Sequence, residues 1–205
     1  MDDPYREIRL AVLDAALPNA AFDGWTAEVL RAAVAAADID NDMAVLAFPD
    51  GVSDLIAAFS ARGDDLMAEA LADVDVATLK IRDRIRRGVI ARIEADLPHR
   101  IAARRAAAAM ALPPRQIKGG RLTFATAHRI WRWAGDTDTD WNFYSKRLIL
   151  SGVIASTRLR WFTDDADDFA ATKDFLDRRI GDVMRFEKFK AETRKTRETW
   201  RARFC

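Results

Sequence analysis

Residues 24–51 read GWTAEVLRAAVAAADIDNDMAVLAFPDG, and this stretch decides the fold. Thr26 suits an N-cap, since its side-chain oxygen can accept from a free first-turn amide. Val29, Leu30, Ala33 and Ala37 then share one face of a helix. Asp38–Asp42 reads as a turn and Met43–Phe48 as a short third helix, stopped by Pro49-Asp50-Gly51. From Ser53 to about Leu71 a longer helix follows, with Leu55, Ile56, Phe59, Leu66 and Met67 inward and Arg62-Gly63-Asp64 as its weak point.

Working outward, helix patterns continue in both directions. A first helix is predicted from about Pro4 to Leu17, with Ile8, Val12 and Ala15/Ala16 in one stripe and Pro18-Asn19 as its stop. Downstream, Thr78–Leu97 is amphipathic. Leu79, Ile81, Ile85, Val89 and Ile93 form its apolar side, and Arg82, Arg84, Arg86, Arg87 and Arg92 lie elsewhere. An Ala/Arg helix over 99–111 ends at Pro113-Pro114, and Gly119-Gly120 reads as a hinge. Leu122–Ala134 and Trp141–Thr157 are further helices. The last clear one runs from Asp167 to about Phe189, with Phe169, Phe175, Leu176, Ile180 and Met184 inward. No segment alternates like a strand, so the fold class is all-α.

The 205 residues carry 33 Lys and Arg against 32 Asp and Glu, but the balance is uneven. Residues 1–75 hold sixteen acids and four bases, a net of −12, while 76–205 hold sixteen acids and twenty-nine bases, a net of +13. No apolar run reaches the roughly 20 residues that span a bilayer. The first residues, MDDPYREIR, show no apolar core of a secretory signal. The single cysteine, Cys205, excludes an intramolecular disulfide and a cysteine zinc site.

A helix, a helix-turn-helix and a Phe-Pro-x-Gly step into a long helix resemble the front of TetR-type regulators. That resemblance makes sequence-specific DNA binding, with a hydrophobic ligand as effector, the alternative function. Charge argues against it. Between Asn19 and Asp75 stand twelve acids and only Arg31 and Arg62, and the segment Asp38–Phe48 has three acids and no base. Duplex affinity needs Lys and Arg against phosphates, so no nucleic-acid partner is expected.

Catalytic patterns fail on spacing. Di-iron bundles need E-x-x-H pairs, but three residues before His99 is Asp96 and three before His128 is Ala125. Asp136–Asp140 opens like a calcium loop, yet Trp141 stands where Gly is needed and Arg147 where a bidentate Glu is needed. Asp138 to Asp140 instead read as the cap of the next helix. Neither an enzyme, a metal site nor a cofactor is expected.

The stretch Ile130-Trp131-Arg132-Trp133-Ala134-Gly135-Asp136-Thr137-Asp138-Thr139-Asp140-Trp141-Asn142-Phe143-Tyr144-Ser145-Lys146-Arg147 is the most distinctive in the chain. It resembles the signature of the coenzyme Q (ubiquinone) biosynthesis accessory lipid-binding family, whose members have a TetR-like fold. Gly24-Trp25-Thr26, Phe48-Pro49-x-Gly51, Ile81–Val89 and Phe175–Ile180 match the family's other segments, so the resemblance covers about residues 5–190 of this bacterial-type member. Departures are Asp138 and Asp165 in place of Ser, the exchanged order of Trp141 and Phe143, and His128 where an acid is common.

The resemblance implies a homodimer with an apolar pocket between the C-terminal helices. It further implies an isoprenoid or quinone-precursor lipid as ligand and a ubiquinone-biosynthesis hydroxylase as partner. The location it implies is cytoplasmic, peripherally on the inner membrane. Pocket candidates are Val89, Ile93, Met110, Ile130, Phe143, Leu148, Val153 and Met184. Three regions are expected: an acidic helix-turn-helix-like part (1–75), a helical ligand-binding and dimerisation part (76–190), and a basic amphipathic tail (191–205). From Arg185 to Cys205 there are eight bases and three acids. Lys188, Arg194, Arg197, Trp200 and Arg201 are therefore assigned to a membrane or partner surface.

Overall fold

A computed structural model describes residues 3–185. The described residues are helical throughout, without strands. The helices are α1 (Arg6–Phe22), α2 (Ala27–Ala36), α3 (Asn41–Ala47), α4 (Val52–Ala70), α5 (Ile81–Ala95), α6 (Arg100–Ala111), α7 (Gln116–Trp133), α8 (Trp141–Trp161) and α9, over 170–185. Short 3-10 turns at Val76–Thr78 and Leu97–His99 lead into α5 and α6.

Local chemistry starts the helices where the sequence says. Thr26 accepts from Val29 N at 3.2 Å, and Asp40 accepts from Asp42 N at 2.9 Å. Asp140 accepts from Asn142 N at 2.9 Å and opens α8. Of the expected caps on α8 only Asp140 acts so; Asp138 turns instead to Lys146 at 2.7 Å.

Four expectations are corrected. Pro18 does not stop α1, which continues to Phe22. The bond that Pro18 forgoes is the one to the Asp14 carbonyl. Asp14 and Pro18 both lie on the exposed side, so that carbonyl faces water and the cost is small. Gly119-Gly120 is no hinge, because α7 runs through it. A Cβ on Gly119 would lie 2.9 Å from both the Met110 Cβ and its carbonyl oxygen, so this glycine lets α6 and α7 approach closely. Arg62-Gly63-Asp64 does not interrupt α4. Finally, Leu66, Ile81 and Met184 are exposed rather than inward.

Packing joins the acidic and basic parts around one continuous apolar core. α1 lies against α2, α4 and α6; α4 bridges α1 to α5 and α7; α7 and α8 form the most extensive pair. Trp25 shows why the parts hold together. Its ring meets Phe59 of α4 at 5.3 Å, and its Nε1 donates to the Ala102 carbonyl of α6 at 2.9 Å. A buried indole needs such a partner, so one side chain fixes the position of α2, α4 and α6 together. No single described helix is long and apolar enough to cross a membrane.

Candidate functional site

α4 to α8 converge on a cavity of about 300 Å³. Its walls are mostly apolar, with Ile56, Phe59, Met110, Ile154 and Phe162 among them, and small Ala106, Ala107 and Gly120 leave the space. Volume and lining suit a small apolar ligand or part of a larger one. A second groove, about 260 Å³, lies between α5, α7, α8 and α9, where Ile85, Trp131, Leu150, Val153, Ile180 and Met184 face it.

The expected pocket residues divide among these places. Met110 lines the first cavity, while Val153 and Met184 line the groove. Val89, Ile93 and Ile130 fill the closed core instead, with Ile130 packed over Gly88 so closely that a Cβ there would sit 2.7 Å from its Cγ2. Phe143 lies beneath the Arg147 guanidinium, 3.5 Å from carbon to ring centre. Leu148 is 64% exposed on the outer face of α8 and lines neither space. The surface candidates Lys188, Arg194, Arg197, Trp200 and Arg201 lie outside the described residues.

What sequence reasoning missed is the polar floor of the first cavity. The spacing sets Arg92 apart from the apolar side of α5, yet it is 2% exposed. Its Nε donates to Asp64 Oδ1 at 2.8 Å, and its Nη1 lies 2.7 Å from Asp96 Oδ1 as a charge contact without hydrogen-bond alignment. Thr126 donates to the same Asp64 oxygen at 2.8 Å, and Arg158 Nη2 donates to Asp96 Oδ2 at 2.9 Å. Arg92, Thr126 and Arg158 all line the cavity. A signal existed: Arg92 follows Val89 by three and precedes Asp96 by four, on the buried arc of α5.

Burial acts on each member. It raises Asp64 above the ordinary carboxylate range, outweighing the Arg92 charge and the Thr126 hydrogen bond. For Arg92, burial is overcome by Asp96 and Asp64, which hold it above the usual arginine value. Arg158 falls below that value through burial and the like charge of Arg92, against the pull of Asp96.

The signature stretch builds a second buried cluster. Arg147 is 0% exposed on the α8 face that also buries Leu150, Ile154, Thr157 and Trp161. Its Nη1 donates to Asp136 Oδ2 at 3.0 Å and to the Phe143 carbonyl at 2.9 Å, and its Nε donates to His128 Nδ1 at 2.9 Å. Lys146 adds a 2.7 Å bond to Asp136 Oδ1. Gly135, at φ 90°, makes the left-handed turn that brings Asp136 under these cations. Burial works against the Asp136 charge, but the bonds from Lys146 and Arg147 prevail and hold its carboxyl below the usual range. The stretch is thus a structural clamp between α7 and α8.

Outside this clamp, α8 presents an uncovered stripe: Trp141, Tyr144, Leu148, Gly152, Ala155 and Leu159, spaced three or four apart. Trp141 is 80% and Leu159 65% exposed.

The family model described as COQ9 matches residues 118–187. The chain is 30% identical over 186 residues to the mitochondrial ubiquinone biosynthesis protein COQ9 of Xenopus tropicalis, and 30% over 185 residues to that of Rattus norvegicus. Against the Homo sapiens protein the identity is 26% over 185 residues. Each alignment takes in 87% of this chain but only 58–59% of the relative, so the chain spans under three-fifths of their length. In structure it is similar to a TetR transcriptional regulator from Nitrosomonas europaea, with a TM-score of 0.65 at 20% identity, covering 85% of this chain and 97% of that one. That likeness shows the TetR-like fold, and in sequence the chain is similar to the COQ9 ubiquinone biosynthesis proteins.

Proposed function

We propose that this chain is a non-catalytic accessory protein of ubiquinone biosynthesis that binds an isoprenoid or quinone-precursor lipid and presents it to a membrane-associated hydroxylase. The role of the relatives in ubiquinone biosynthesis supports the pathway. The apolar cavity lined by α4 to α8 is the observation that carries lipid binding. Its charged groups are paired with one another, Arg92 with Asp64 and Arg158 with Asp96, which supports a holding role rather than bond-making. The test is extraction and mass spectrometry of lipid from purified protein. Wild type is expected to retain an apolar lipid, and Ala107→Trp, which fills the cavity wall, is expected to lose at least about tenfold of it with unchanged helical circular dichroism. Retention by neither protein overturns the reading.

The α8 stripe supports a homodimer. Gly152 has open space around it, so a second helix can approach closely there, and a two-fold axis would pair the stripe with its own copy. Leu148→Glu places a charge in that seam. It is expected to shift the protein from dimer to monomer by sedimentation at micromolar concentration, with little change in monomer melting, since Leu148 touches neither cavity. A wild type that is monomeric at all concentrations refutes the dimer.

Location at the cytoplasmic face of the inner membrane, by way of the basic segment from Arg185 onward, belongs to the same proposal. Its physical support is the net +5 of Arg185–Cys205. The exposed α3, with Asp40 and Asp42 and no base, argues against duplex binding.

A further inference from the structure

Residues 97–135 hold eight bases and no acid. Half of these bases are engaged: Arg100 with the Trp161 and Asp164 carbonyls, Lys118 with Asp50 and Asp54, Arg129 with Asp65 and Arg132 with the Asp136 carbonyl. The others, Arg104, Arg105, Arg115 and Arg121, make no ion pair or side-chain hydrogen bond among the described residues, and all but half-buried Arg115 are exposed. Uncovered apolar groups stand among them. Leu112 is 63% and Ile117 67% exposed, on either side of the turn between α6 and α7. Ile101, Ala108 and Leu112 continue that surface along the outer side of α6, with Arg104 and Arg105 as its flanks.

Place matters as much as composition. Ala111, Gln116 and Gly120 line the cavity and are themselves exposed, so the cavity opens at this corner, beside Leu112 and Ile117. Asp50 and Asp54 reach α7 but share Lys118, so they leave at most one negative charge against the four arginines. A rim of uncovered Leu and Ile beside unpaired arginines suits an anionic bilayer. The apolar groups enter the acyl boundary, and each base near the surface attracts anionic head groups. A bilayer uses both features, and it also gives an apolar ligand a path into the cavity that does not cross water.

We propose that the α6–α7 corner is a membrane-docking face of its own, separate from the basic segment from Arg185 onward. Leu112 and Ile117 enter an anionic bilayer, Arg104, Arg115 and Arg121 meet its phosphates, and the mouth of the cavity is set against the lipid. The role of the mouth rests on the lipid-binding reading, whereas the docking face stands on charge and exposure alone. The experiment uses the full chain with Cys205→Ser and one new cysteine, Ile117→Cys or, on the acidic side, Val45→Cys, each carrying a nitrobenzoxadiazole dye. Vesicles are of phosphatidylcholine alone or with about 30% phosphatidylglycerol. The dye at 117 is expected to brighten and shift to the blue on the anionic vesicles, and the dye at 45 to stay unchanged. In unlabelled protein, Arg115→Gln/Arg121→Gln is expected to weaken vesicle binding at least about tenfold, and Leu112→Ser/Ile117→Ser by a comparable factor. Helical circular dichroism should not change, because these side chains lie at the surface. No vesicle binding, an unchanged dye at 117, an equal response at both positions, or wild-type binding by either double variant overturns the proposal, and the corner would then belong to another partner such as an acidic protein. The cavity is judged separately. Lipid extracted from a wild type that shows no response at 117 removes only the docking face, and a response at 117 in protein that carries no lipid removes only the role of the mouth.

Discussion

Replacing Arg92 with Met is expected to lower the free energy of unfolding by about 3–5 kcal/mol, the usual cost of removing one partner from a buried ion pair. The guanidinium sits between Asp64 of α4 and Asp96 at the end of α5, within 2.8 Å of each. Without it Asp96 keeps Arg158, but Asp64 keeps only the Thr126 hydroxyl. Urea melts followed by circular dichroism give the comparison. A pH dependence should accompany it. Asp64 already lies above its ordinary value, and losing Arg92 raises it further. A group raised on folding binds more protons in the folded than in the unfolded state, so its stability contribution falls as pH rises. The gap between variant and wild type is therefore expected to narrow as pH drops from about 8 to about 5. Gly63→Ala tests the same contact from the other side, because its Cβ would lie 2.5 Å from the Arg92 Nη1. Added to Arg92→Met, the glycine substitution is expected to cost much less than alone, since the clashing group is gone. A loss below about 1 kcal/mol for Arg92→Met would mean the pair is solvated in solution.

This cluster marks the boundary of what the sequence discloses. Caps, apolar stripes and the Phe48-Pro49-x-Gly51 step are local signals, and they placed α2, α3, α4 and α8 within a few residues. Arg92 was missed because counting charges assigns them to the surface, whereas Asp64, its partner, stands 28 residues earlier on another helix. Pro18 misled for the converse reason: its effect depends on which way the orphaned carbonyl faces, a tertiary fact. The same holds for the cavity. Met110 was legible as an apolar residue near the right helices, but Val89 and Ile130, equally apolar, belong to closed core. Periodicity says that a side chain points inward and is silent on whether it meets atoms or space there.

Arg147→Met is expected to destabilise by about 3 kcal/mol or more, on the same physical ground but with a titration of opposite sign. Arg147 is wholly buried and ties Asp136, the Phe143 carbonyl and His128 into one unit. Lys146 keeps Asp136 paired after the substitution, which limits the loss. The His128 bond runs from Arg147 Nε to the imidazole Nδ1, so it requires neutral histidine. Burial, then the charges of Arg147 and Arg132, hold His128 below 6.5, with Asp136 opposing them. A histidine depressed on folding binds fewer protons in the folded state, so its contribution is present above pH 6.5 and is lost as pH falls through the lower folded value. Wild type should therefore lose stability on acidification through this window beyond what its carboxylates explain. His128→Gln offers Arg147 a carbonyl oxygen that does not titrate. It is expected to leave stability near pH 8 within about 1 kcal/mol of wild type and to flatten the slope below pH 6.5. Urea midpoints measured across that range decide the matter. An unchanged slope in His128→Gln would show that the imidazole does not report on the Arg147 clamp, and Arg147 would then hold α7 to α8 through Asp136 and the Phe143 carbonyl alone.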